Sequence, residues 1–394
     1  VTTPTLQLTS EVADLQRSVM RELLALAVDP KIISLAGGLP ASELLPLAQI
    51  RQCFDQVLDE DGPRALQYSP PSQDLKTWIA EWMGAQGVTC GPEEVFITNG
   101  AQQGLAILSR LFLERGDPAV VETITFTGVQ QVTAGRGADL RAIPVDLRTG
   151  ADMDALEQAL RREPRPRLVI LIPEFHNPLG VSMTGEKRRR AAELAATYGV
   201  PLIEDSPYSA LRFDGAPVPP IKAHDQAGLV FYVGSFSKMV APALRLGWIV
   251  APASLMERIT TLRESLDLES SGLVQRAVQR FVRGGHLEPH LAQLNGANRE
   301  RRDVLLDELE RHFGGAATWT RPEGGLFVWV TFPEGVDTWA CFEAALARHV
   351  AYIPGAAFAV DGGANNALRL NFSNVNPDRI REAIPRLAEV LRPS

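Results

Sequence analysis

The spacing of apolar positions changes twice along the chain. Near the start, Val12, Leu15, Val19, Leu23 and Leu26 recur every three or four residues, which predicts an amphipathic helix over the first 35 residues. That helix is expected to stop at Asp29-Pro30, because the residue before a proline is pushed out of helical space. A glycine-rich turn, Ser34-Leu35-Ala36-Gly37-Gly38-Leu39-Pro40, follows. From about residue 93, short apolar runs at 94–98, 119–122, 168–172, 200–204 and 229–233 read as buried strands. Between them lie stretches of helical period, such as Leu105, Leu108, Leu111 and Phe112, and then 188–198. Strand–helix alternation of this kind predicts a mostly parallel sheet covered by helices on both faces.

After about residue 285 the alternation weakens. A long polar-faced helix is predicted at 300–313, with strands at 326–332 and 367–372, which suggests a smaller α+β domain. The expected division is discontinuous: a large domain over 46–285, and a small one built from 1–45 and 286–394.

Composition narrows the class without choosing within it. The 394 residues are 45% hydrophobic and 22% charged, ordinary for a globular protein and too apolar for a disordered one. With 39 Lys+Arg against 47 Asp+Glu, the net charge of −8 argues against a general nucleic-acid binder. Three cysteines far apart in sequence, Cys53, Cys90 and Cys341, make a disulfide framework implausible, so a reduced, cytoplasmic setting is expected. No basic stretch leads into an apolar run at the start, and no segment is apolar for long enough to cross a bilayer. A soluble protein without membrane contact is the expectation.

Several motifs fail on inspection. His286-Leu287-Glu288-Pro289-His290 spaces two histidines four apart but lacks the order of a helical zinc pair, and a surface turn is expected there. Ser235-Phe236-Ser237-Lys238 fits S-x-x-K, yet the companion motifs of the penicillin-recognising enzymes are absent. Gly135-Arg136-Gly137 has no third glycine at the spacing a dinucleotide loop needs, and no GxxxxGK[ST] phosphate loop occurs. No metal site is expected.

What remains clusters at the C-terminal ends of the predicted strands, where open parallel sheets place their ligands. Asn99-Gly100-Ala101-Gln102-Gln103-Gly104 opens a helix after the first strand, and free amides at a helix start suit a phosphate. Pro173-Glu174-Phe175-His176-Asn177-Pro178-Leu179-Gly180 carries an asparagine that either caps a turn or serves a ligand. Glu204-Asp205-Ser206-Pro207-Tyr208 sets two carboxylates side by side, and burying an unpaired charge is costly, so one of them is expected to face a cation. Gly234-Ser235-Phe236-Ser237-Lys238 and the nearby Arg245 add hydroxyls, an amine and a guanidinium. A phosphorylated pyridine aldehyde needs that set: phosphate donors, a carboxylate, an asparagine, a tyrosine and an amine on one rim.

On these residues the chain resembles the fold-type I, pyridoxal-phosphate-dependent aminotransferases of class I/II. Within them it is similar to the 2-aminoadipate and kynurenine aminotransferase II branch. The resemblance runs through 34–40, 66–70, 98–104, Asn177-Pro178, 204–208, 235–238, Arg245-Leu246-Gly247 and 368–371. It implies an α/β fold, with a seven-stranded-type, mostly parallel sheet between helices and a smaller α+β domain. It implies pyridoxal 5'-phosphate held by Lys238 as a Schiff base, with Lys238 then acting as acid and base. Asp205 would pair with the pyridine nitrogen, and Asn177 and Tyr208 with the ring's phenolic oxygen. Ser235, Ser237, Arg245 and the amides around Gly100, Ala101 and Gln102 would bind the phosphate.

The resemblance also assigns positions beyond this rim. Tyr68 would reach the phosphate of a partner subunit, which implies a homodimer with shared active sites. Phe126 stands where the family stacks an aromatic ring on the cofactor; tyrosine is more usual there, and the stack survives loss of the hydroxyl. Arg369 would clamp the substrate α-carboxylate, since guanidinium matches carboxylate two bonds at a time, with Gly38 adding a backbone donor. Arg21 matches a position that meets an acidic substrate side chain in some relatives; a solvated helix arginine is an equal reading. The Leu179-Gly180 pair, where many relatives have Thr-Gly or Ala-Gly, leaves specificity open.

The implied activity is transfer of an amino group from an L-amino acid to a 2-oxo acid, 2-oxoglutarate being the expected acceptor, by a ping-pong route. Two other classes share this fold. One is the ligand-sensing domain of helix-turn-helix regulators; here the aminotransferase pattern begins within the first 35 residues, so no DNA-binding module is expected. The other comprises pyridoxal-phosphate lyases and decarboxylases, which the sequence barely separates from transaminases.

Overall fold

The computed structural model describes Asp29 and residues 31–391. The predicted N-terminal helix and Arg21 lie outside the described residues.

Seven strands form the large sheet: β1 Val95–Thr98, β2 Pro118–Glu122, β3 Asp139–Ile143, β4 Leu168–Leu171, β5 Leu202–Asp205, β6 Val230–Ser235 and β7 Gly247–Val250. Their order is β1-β7-β6-β5-β4-β2-β3. All neighbours run parallel except β7, which is antiparallel to both β1 and β6. The five predicted strands are therefore present within a residue or two at each end, while β3 and β7 were not predicted. Asp139–Ile143 is an edge strand, largely half-exposed, and carries two charges, so its apolar signal is weak. β7 is a four-residue buried run that begins at Gly247, too short to stand out by period.

The alternation along these strands explains both covered faces. Val121, Ile170, Ile203 and Phe231 pack on one side with Leu105 and Leu108 of helix α1, Ala101–Phe112. Val120, Val169, Leu171 and Leu202 point the other way, against Ala191, Leu194 and Ala195. Those three belong to a second helix, Gly185–Tyr198. Each fully buried Val, Leu, Ile or Phe among them contributes about 1.5–3 kcal/mol. Because both faces are packed, polar groups at the strand ends are the ones left to meet a ligand.

Four further strands form an antiparallel sheet: β8 Thr318–Trp319, β9 Phe327–Thr331, β10 Ile353–Pro354 and β11 Ala367–Asn371, in the order β8-β9-β11-β10. Val328, Val330, Leu368 and Leu370 share one core with Leu305 and Leu309, and with Ile384 and Leu387 of the helix Pro377–Leu391. Ile33, Leu35 and Ala36 join the same core, and Ile33–Ser34 pairs in parallel with Val350–Ala351.

The helix predicted at 300–313 is longer than expected, running from Leu287 to Phe313. His286–His290 is thus its opening rather than a surface turn. Pro289 fits within the first turn because the amide it lacks would have no helical partner there, and His290 is buried against Phe281. None of the described helices is long and apolar enough to cross a membrane.

Candidate active site

At the C-terminal ends of β1, β5 and β6 lies a cavity of about 290 Å3. Lys238, Asp205, Tyr208, Asn177 and Arg369 line it, as do Ser235, Ser237 and Arg245. Gly38, Ala101, Gln102 and Phe126 complete the predicted residues on its wall. Leu39, Leu105, Ile172 and Pro207 also line it; they fall inside segments read from the sequence but, being apolar, were given no site role there. Tyr68 is not on this wall; it stands 80% exposed at a different place on the surface, as Leu66 does.

The anionic end of the cavity is built by backbone. Gly100 precedes α1 at φ 84° and ψ 170°, a region only glycine occupies readily. This turn leaves the first amides of α1 facing the cavity, where helix N–H groups attract anions. Asn99 is tied down from two sides: its N–H donates to Gln103 Oε1 at 2.8 Å and its Nδ2 to Asp267 Oδ2 at 2.7 Å. Arg245, itself at φ 49°, donates through Nη2 to Asn99 O at 3.1 Å and so hangs its guanidinium over the turn. At the end of β6, Ser235 Oγ accepts the Ser237 N–H at 3.1 Å.

Burial dominates the middle of the site. Asp205 ends β5, is 3% exposed, and its Oδ1 has no hydrogen-bond partner among the described residues. Burial, followed by the nearby Glu122 carboxylate, raises its pKa to about 7. The cation expected beside Glu204-Asp205 is the Arg188 guanidinium, whose charge acts on Glu204 and opposes the rise in its pKa. Glu204 also accepts the amides of Ile221 and Lys222 at 3.0 and 2.8 Å, and burial lifts its pKa to about 7. Lys238 Nζ donates to Gly38 O at 2.7 Å. Burial, then Arg369 and Arg245, lowers the Lys238 pKa to about 8, within reach of a neutral, nucleophilic amine.

A chain of hydrogen bonds runs along the far side. Arg369 Nη1 donates to Asn177 Oδ1 at 2.8 Å, and Asn177 Nδ2 donates to Tyr208 Oη at 3.2 Å. Because the arginine takes the Asn177 oxygen, the amide nitrogen must face the phenol. Arg369 Nη2 also donates to Ala36 O. Its guanidinium lies 4.3 Å from the Phe327 ring centre and 4.9 Å from that of Phe358, a sandwich the sequence did not announce. Burial at 0% exposure lowers the Arg369 pKa only to about 10, so it stays a cation at neutral pH. Tyr208 is likewise buried, which raises its pKa, and it meets Phe327 edge-on at 5.8 Å. The Asn177 loop can lie this close to β9 because of Gly180. At φ 67° it turns so near that a Cβ there would stand 2.3 Å from Phe327 O.

Known proteins share this fold. Residues 30–387 match the family model for aminotransferase class I and II. Aromatic-amino-acid aminotransferase 1 of Thermococcus litoralis is 38% identical over 385 residues, covering 96% of this chain and 92% of that protein. Pyrococcus horikoshii kynurenine aminotransferase, solved in complex with PMP, superimposes with a TM-score of 0.92 at 36% identity, over 97% of this chain and 96% of the other. LysN, the alpha-aminoadipate aminotransferase of Thermus thermophilus, was solved with N-(5'-phosphopyridoxyl)-L-leucine. It superimposes with a TM-score of 0.90 at 34% identity, over 98% and 97% of the two chains.

Proposed function

The chain belongs to the aminotransferase class I and II family, and from that premise we propose which residues run its chemistry and on which substrates. It is a pyridoxal-phosphate-dependent transaminase acting on amino acids and 2-oxo acids. The residues of the cavity fit that cofactor on two counts. Asp205 Oδ1 is buried without a partner among the described residues, as suits an atom meant for a ring nitrogen. The Gly100 turn also leaves room for an anion where a Cβ would run into Arg245.

When bound, the cofactor supplies an aldehyde carbon that takes up the amino group and a ring that withdraws electrons from the substrate Cα. Lys238 Nζ would be the covalent anchor and, once released, the base that takes the Cα proton and carries it across the nitrogen to the carbon that was the aldehyde. Asp205 keeps the ring nitrogen protonated. Asn177 and Tyr208 donate to the ring's phenolic oxygen, and Phe126 stacks on the ring. Ser235, Ser237, Arg245 and the amides of Gly100, Ala101 and Gln102 hold the phosphate. Arg369 binds the substrate α-carboxylate in two bonds, and Gly38 contributes a backbone contact. The observation that carries this reading is one cavity sharing Lys238, Asp205 and Arg369, with Asn177 bonded to both Arg369 and Tyr208.

The donors are L-amino acids with large side chains (aromatic, long aliphatic or acidic), a reading supported by the names of the relatives. The acceptor is 2-oxoglutarate, and the two half-reactions alternate at one site. The working unit is a homodimer in which Tyr68 of each subunit reaches the other's phosphate; its 80% exposure supports this. Arg21, outside the described residues, is a candidate contact for acidic donors. The division into a large domain, 46–285, and a small one, 1–45 with 286–394, belongs to the same proposal. So does a cytoplasmic setting, in keeping with three free cysteines.

The test is a panel of L-amino acids with 2-oxoglutarate, following glutamate and the matching 2-oxo acid by mass spectrometry. Equimolar formation of the two, with parallel double-reciprocal plots, is expected. Absence of glutamate with every donor would refute the transaminase assignment, and converging plots would refute the alternating route.

A further inference from the structure

Two buried titratable side chains on the same rim have no part in the chemistry above. Glu122 ends β2 at 0% exposure, and His176 precedes Asn177 at 2%. The sheet register brings Glu122 level with Leu171 and Glu204, one residue short of Asp205. Val120 pairs with Val169 across β2 and β4, and Leu171 pairs with Glu204 across β4 and β5. One step further along each strand, Ile172 comes level with Asp205. Glu122 Oε2 accepts the Ile172 N–H at 3.0 Å and meets His176 Nε2 at 3.1 Å. Its other oxygen, Oε1, is buried with no partner among the described residues, as are His176 Nδ1 and Asp205 Oδ1.

Two carboxylates are thus buried on adjacent parts of one rim, and neither is paired with a lysine or arginine among the described residues. Such an arrangement is unfavourable by itself, because like charges repel strongly where water is excluded. It becomes favourable when a cation arrives in front of both. We infer that Glu122, held by His176 and the Ile172 amide, is a positioning residue for Asp205: a second negative charge near the first, which strengthens the grip on the cofactor's protonated ring nitrogen. The inference rests on Asp205 meeting that nitrogen. In keeping with it, Glu122 is the one charge besides burial that raises the pKa of Asp205.

The test compares two cofactors on the full chain. Holoenzyme is reconstituted with pyridoxal phosphate or with its analogue bearing carbon in place of the ring nitrogen, and each dissociation constant is measured by equilibrium dialysis. Aldehyde and phosphate are common to both, so the ratio of the constants reports on the ring position alone. Glu122→Gln keeps an acceptor for Ile172 and His176 but removes the charge. It is expected to lower the preference for pyridoxal phosphate about tenfold, the equivalent of one pKa unit at the nitrogen. Glu122→Leu serves as a second charge-free variant should the glutamine form fail to fold, with the same expected loss. Glu122→Asp keeps the charge and should restore most of the preference.

A wild-type ratio in the charge-free variants overturns the inference, as does a parallel rise in both constants, which would mark a merely structural role. Asp205→Asn separates this from failure of the underlying reading. If that variant also keeps the wild-type ratio, Asp205 does not meet the nitrogen. If it loses the preference while Glu122→Gln does not, only the role of Glu122 falls.

Discussion

Replacing Gly100 by alanine tests the phosphate cradle most directly. Gly100 stands at φ 84° and ψ 170°, where a side chain is strained by about 1–3 kcal/mol. A Cβ would also lie 2.8 Å from Arg245 Nη2 and 3.3 Å from its Cζ. The turn has little freedom to retreat. Gly100 O accepts from Thr98 Oγ1 at 3.1 Å, and Gly247 backs onto it so tightly that a Cβ on Gly247 would be 2.9 Å from Gly100 Cα. The guanidinium, at the end of a flexible side chain, is therefore what moves. A charge-assisted hydrogen bond contributes about 1.5–3 kcal/mol, so displacing Arg245 from the phosphate should weaken cofactor binding about ten- to a hundredfold. Urea unfolding of the cofactor-free Gly100→Ala protein should show a loss of about 1–3 kcal/mol. Fluorescence titration with pyridoxal phosphate should show the weaker binding. Gly104→Ala is the control: its Cβ would meet Val233 Cγ1 at 3.1 Å, away from Arg245, so cofactor affinity should hold. Lost stability with unchanged affinity would refute the role given to Arg245, and no change in either would refute the argument from backbone strain.

Three further outcomes follow from the same geometry. Arg369→Lys keeps the charge but loses the two-bond fork, so kcat/KM for amino-acid donors should fall about a hundredfold while cofactor affinity stays level; equal turnover would remove Arg369 from substrate binding. Only the neutral form of Lys238 attacks an aldehyde, and its pKa is lowered to about 8. The rate of cofactor uptake should therefore climb about tenfold per pH unit below that point and level off above it; a flat profile between pH 6 and 8 would count against the lowered value. Asp205, raised from 3.8 to about 7 in the cofactor-free fold, binds a proton there that the unfolded chain has released. It should add stability below about pH 4 that is lost as the pH rises through 7. Asp205→Asn, neutral throughout, should gain on wild type in unfolding free energy by a margin that widens over that window, and a constant difference would contradict it.

Much of the large sheet was legible because buried parallel strands are short apolar runs flanked by turn residues, as at Leu168–Leu171 and Val230–Ser235. Asp139–Ile143 escaped because an edge strand tolerates charge, and Gly247–Val250 because four residues carry almost no period. The long helix from Leu287 was read late, since Pro289 argued for a turn and only its place in the first turn made it acceptable.

The rim residues were legible for a different reason: Lys238, Asp205 and Asn177 sit directly after predicted strands, where the topology leaves polar groups to face a ligand. Their chemical types and their order along the chain followed from sequence alone. How they are aimed did not. Arg369 reaches Asn177 and Lys238 reaches Gly38 across almost two hundred residues of chain or more. The sandwich of Phe327 and Phe358 around Arg369, and the carboxylate of Glu122 near Asp205, likewise come from separate segments. Local periodicity can say which side chains a strand end presents. The pKa of a lysine or the orientation of an amide depends on what other segments pack against it and how much water they exclude, and only the tertiary structure decided that.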